Sequence, residues 1–151
     1  AAGVKPIVGV DFLVREAGER MQPSRLTLLC QNPVGYGNVT RLVSRAYREG
    51  KRQGLPLLER DWLDRESCAG LLALSGASQG DIGRALALGR GAEAAKCLDA
   101  WLELFGDRFY LELQRVGRAG EEAYIGAAVA LASGTGREIM GRSSSKQSRQ
   151  G

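Results

Sequence analysis

A chain of 151 residues with 44% hydrophobic and 25% charged residues is long enough for one domain with a sizeable core, and its composition is ordinary for a soluble globular protein. No apolar run nears the ~20 residues of a membrane helix, and the opening AAGVKPIVGVDF lacks the basic, apolar and cleavage regions of a signal peptide, so a cytoplasmic protein without membrane contact is expected. The net charge of +4 does not by itself indicate nucleic-acid binding: beyond Ser133, Arg137, Arg142, Lys146 and Arg149 stand against one acid, Glu138, and the body ahead of them is close to neutral.

In chain order, Ile7–Val14 reads as a strand, and residues 16–24, with Gly18 and Pro23, as a loop. Leu26–Gln31 is a second strand, whose apolar run of Leu26, Leu28, Leu29 and Cys30 suits burial on both faces. Asn32, Pro33, Gly35 and Gly37 are turn residues. Tyr36–Glu49 follows as a helix with Val39, Leu42, Val43, Ala46 and Tyr47 on one stripe and Gly50 as its stop. Lys51–Pro56 is a polar connection, Glu59–Arg65 a short helix around Trp62, and Gly70–Ser75 a third buried strand. Asp81–Leu88 and Ala92–Phe105 are helices divided by Gly89 and Gly91; the second sets Ala94, Ala95, Leu98, Trp101, Leu102 and Phe105 on one face. Phe109–Gln114 alternates as a strand, and Glu121–Ala132 is a helix whose two leading glutamates suit its N-terminal dipole. Residues 134–151 are polar, Ser-rich and basic, without apolar periodicity, and disorder is expected there. The division is a body, residues 1–132, and a tail, residues 133–151. Strand-helix alternation predicts an α/β fold with a largely parallel sheet. Four strands are too few for a closed barrel of about eight, which leaves a small open sheet or a portion of a barrel.

The chain contains no histidine, so Ser-His-Asp and Cys-His mechanisms cannot be assembled within it. Cys30, Cys68 and Cys97 are scattered and odd in number, which suits free thiols in a reducing compartment and gives a poor basis for zinc; Cys30 and Cys97 are expected in the core. Gly76-Ala77-Ser78-Gln79-Gly80 matches G-x-S-x-G between a strand and a helix, the setting of a nucleophile elbow. Without a histidine partner for Ser78, a glycine-rich turn is the better reading. Asp11 and Glu112 are acids within apolar strands and are candidates for a magnesium-type ion, weighed against a solvated or arginine-paired role. Arg41, Arg45 and Arg48 read as a solvated helix face in preference to a nucleic-acid stripe.

Five segments in order, KPIVGVDF (Lys5–Phe12), RLTLLCQNPVGYGNVTRLVSRAY (Arg25–Tyr47), LLERDWL (Leu57–Leu63), GLLALSGASQGDIGRAL (Gly70–Leu86) and DRFYLELQRVGRAGEEAY (Asp107–Tyr124), closely resemble the N-terminal PHP (polymerase and histidinol phosphatase) domain of the bacterial DNA polymerase III alpha subunit. The resemblance covers roughly residues 4–132 and implies a partial PHP-type distorted (β/α) barrel, with parallel strands alternating with helices. It further implies a metal centre at the strand ends, built mainly from histidines and acids. Asp11 matches an acidic ligand position of the family; Arg25 stands where metal-binding members carry histidine, and Ala77 where they carry cysteine. Two of the three ligand positions are thus replaced, and a guanidinium there repels a cation. The absence of an initiator Met points to a processed or excised piece. REIMGRSSSKQSRQG, where the family continues with a hydrophobic strand, suggests a truncated or frame-slipped end.

The resemblance implies a part of a replicative DNA-directed DNA polymerase, with no cofactor of its own, in a parent enzyme that uses magnesium and acts on DNA. This part is then a non-catalytic scaffold that supports the polymerase and docks the proofreading exonuclease subunit among other replicase subunits. Two alternatives are a metal-dependent PHP phosphoesterase or 3'-5' exonuclease, and a basic nucleic-acid-binding module.

Overall fold

β-Branched and leucine-rich runs build a six-stranded sheet, and the helices between them cover one of its faces. The structure, a computed structural model, describes residues 3, 5–16, 22–52, 54–135 and 139–143. The strands are β1 (Gly9–Arg15), β2 (Ser24–Cys30), β5 (Leu58–Glu59), β6 (Leu71–Leu74), β7 (Phe109–Arg115) and β8 (Ile139–Ser143), in the order β5-β1-β2-β6-β7-β8; β3 (Lys51–Arg52) and β4 (Leu55–Pro56) form a separate two-stranded pair. β2 pairs antiparallel with both β1 and β6, whereas the β1–β5, β6–β7 and β7–β8 pairs are parallel. Five strands therefore run one way, so the sheet is largely parallel as expected, and β2 alone runs against them. Periodicity reveals which residues share a face but carries no information on strand direction.

Helix α1 (Pro33–Arg48) starts earlier than the turn residues suggested. Asn32 is its N-cap, accepting from the Gly35 N–H at 3.0 Å, with Pro33 in the first turn. Gly35 and Gly70 meet there: a Cβ on Gly35 would lie 1.9 Å from the Gly70 carbonyl oxygen. The buried Asn38 fastens the helix by donating to the carbonyls of Glu66 and Ala69 at 3.1 and 2.9 Å. Val39, Leu42 and Ala46 are buried as expected, but Tyr47 is exposed.

The expected helix at Glu59–Arg65 is only a 3-10 turn, Arg60–Trp62, after the short β5. α2 (Asp81–Ala87) and α3 (Gly91–Phe105) match the predicted pair, and α4 (Glu121–Thr135) follows β7. Phe12, Val14, Leu26 and Leu28 of the sheet join Val39, Leu42, Leu98, Trp101 and Phe105 of the helices in one core. Trp101 stacks on Phe109 at 6.0 Å between ring centroids, the Arg60 guanidinium sits 4.2 Å over the Trp101 ring, and the indole N–H donates to Asp81 at 2.8 Å.

The tail differs from its sequence reading. α4 continues through Thr135, and Ile139–Ser143 pairs with Leu111–Arg115 as the edge strand β8. Backbone pairing to β7 holds a strand there without apolar alternation. Residues 136–138 and 144–151 lie outside the described residues. No helix among the described residues is long and apolar enough to cross a membrane.

Candidate functional site

The reversed direction of β2 brings its first residues to the edge where β1, β6 and β7 end. Asp11 lies opposite Thr27, and Leu13 opposite Arg25, so Asp11, Arg25 and Thr27 share the sheet face turned away from the core. Arg25 Nη2 donates to Asp11 Oδ2 at 2.6 Å, and Thr27 Oγ1 donates to Asp11 Oδ1 at 2.5 Å. Both carboxylate oxygens are thereby engaged. Arg25 Nε is buried without a hydrogen-bond partner.

Ala77 reaches the same edge through backbone packing. The α-carbon of Gly76 abuts the Arg25 carbonyl; a Cβ there would come within 2.3 Å of that oxygen. Ala77 itself is buried, with φ 50°, an uncommon conformation for a residue with a side chain. Gly80 and Gly83 are equally constrained, since a Cβ would lie 1.7 Å from the Ser75 oxygen and 2.0 Å from the Ala77 oxygen. The glycines of the G-x-S-x-G segment thus serve close backbone packing. Ser78 is exposed and the chain holds no histidine to serve as its base, which agrees with the turn reading.

Glu112 is buried on β7. Its N–H donates to Ser75 Oγ at 2.9 Å, its carbonyl accepts from the Tyr124 hydroxyl at 2.8 Å, and its carboxylate accepts from Gln114 at 3.1 Å. It shares a face with Asp11 but lies three strands away, roughly 14 Å along the sheet. The two acids are built into separate networks. Burial and the nearby Glu112 charge push the Tyr124 hydroxyl up to about 12.

This donor set does not fit a metal ion. Each Asp11 oxygen already accepts a hydrogen bond, Arg25 places a permanent cation beside it, and Ala77 offers no ligand atom. Among the described residues no three His, Cys, Asp or Glu side chains gather as a candidate metal cluster. Nor do the cysteines supply reactive groups. Cys68 is fully buried and Cys97 half-buried, and burial raises their thiols to about 11 and about 12, the nearby Asp81 carboxylate adding to the effect at Cys97. Cys30 is half-buried, and desolvation raises its thiol as well. The expected burial of Cys30 and Cys97 is therefore partial, and Cys68 is the one at the centre of the core.

Thr27 escaped the sequence reading although it was within reach, because in a strand the residue two beyond Arg25 shares its face. The helix arginines behave largely as read: Arg41 donates to Asn38 at 3.0 Å, and Arg45 pairs with Glu49 at 3.0 Å and lies 4.3 Å over the Trp62 ring.

A sheet with helices on one face and an Asp11–Arg25 pair on the other is an α/β architecture. Residues 1–116 match the PHP domain profile, and the chain belongs to that family. Its similarity to individual proteins is narrower still. It is 48% identical over 132 residues to the DNA polymerase III subunit alpha of Pseudomonas aeruginosa, a match covering 87% of this chain and 11% of the relative. With the same subunit of Escherichia coli strain K12 it is 44% identical over 139 residues, covering 92% and 12%, and with that of Vibrio cholerae 43% identical over 130 residues, covering 86% and 11%. The chain thus spans only about one-ninth of the length of these curated relatives.

Proposed function

We infer that this chain is the PHP-domain part of a DNA polymerase III alpha subunit and works as a non-catalytic scaffold. In this reading the longer protein is a replicative DNA-directed DNA polymerase that uses magnesium and acts on DNA in the cytoplasm, with its polymerase residues outside this chain. The PHP part supports the polymerase and docks the proofreading exonuclease subunit within the replicase. The observation that carries the scaffold reading is the Arg25–Asp11 ion pair with Thr27 on the second oxygen. An acid held in this way serves architecture. A phosphoesterase would need that carboxylate free for a cation. A nucleic-acid module would need a long basic track, whereas Arg41 and Arg45 already bond to Asn38 and Glu49.

Metal analysis of the purified chain, together with hydrolysis assays on a nucleotide phosphodiester, tests the scaffold reading. The expected result is less than a tenth of an equivalent of zinc or manganese and no hydrolysis above background. One equivalent of transition metal, lost on Asp11→Ala, would sink it. Affinity capture of the exonuclease subunit by the full-length alpha subunit, weakened when residues 1–132 are deleted, supports the docking role; undiminished capture speaks against it.

A further inference from the structure

We draw no further inference here: the strongest candidate, the outer edge of β1, which among the described residues pairs with β5 only at Val14 and Arg15 and has the exposed Ile7, Val8 and Leu13 along it or just ahead of it, carries none because nothing in the structure shows what covers it.

Discussion

Gly76 and Ser78 stand two residues apart and carry opposite weight. Gly76 has φ 77°, and its α-carbon rests against the Arg25 carbonyl. Gly76→Ala is therefore expected to cost about 2 kcal/mol or more, through the left-handed backbone and the clash together, read as a lowered urea midpoint with an unchanged slope. Ser78→Ala changes an exposed side chain and is expected to stay within about 0.5 kcal/mol of wild type in the same titration. A motif match thus concealed a packing role that only the backbone geometry exposes. That an acid stands within β1 at Asp11, with an arginine at position 25 and an alanine at position 77, was readable in the sequence. The contact between Asp11 and Arg25 was not, because fourteen residues separate them and strand register, not spacing, brings them together.

Among the elements, α1 depends on its fastening to the turn before β6. Asn38→Ala removes the two bonds that this buried side chain makes to the Glu66 and Ala69 carbonyls, and is expected to lower stability by about 2 kcal/mol. Hydrogen exchange should then show the loss concentrated in residues 64–70 and the first turns of α1, with α3 protected as before. The helices were the most readable elements because their apolar stripes are long: α3 differs from its predicted range only by starting at Gly91. Short elements were harder. β3, β4 and β5 have two residues each, too few to show a period, and the Trp62 segment winds into a single 3-10 turn because Leu63 returns to extended backbone. β8 was invisible to pattern reading since its sequence does not alternate; its evidence is the pairing with β7.

For the whole molecule, the buried proton carriers set an alkaline limit to stability. Cys68 and Cys97, near 11 and 12 in the fold, titrate from about 9.0 when exposed, and Tyr124, near 12, from about 10.0. Each native pKa lies above its unfolded value, so the folded state holds these protons more tightly. The contribution is complete below pH 9 and declines as pH rises from there towards 12. Thermal midpoints should accordingly be flat from pH 7 to 8.5 and fall above pH 9, and Tyr124→Phe should make the fall above pH 10 shallower, the cysteines carrying the rest. A midpoint that rises with alkalinity would contradict this assignment. The thiols were expected to be free from the cysteine count alone, but their ranking by burial emerges only in the packed core. One consequence remains in the single strand that opposes the others. Alternation of apolar residues tells β2 odd from even: a one-residue slip against β1 would turn Leu26 and Leu28 to water, but a slip of two would keep every side chain on its proper face. Asp11 bears on that ambiguity, since a slip of two that set Leu29 opposite it would carry Arg25 out of reach of its carboxylate, so this acid helps to gauge the hairpin.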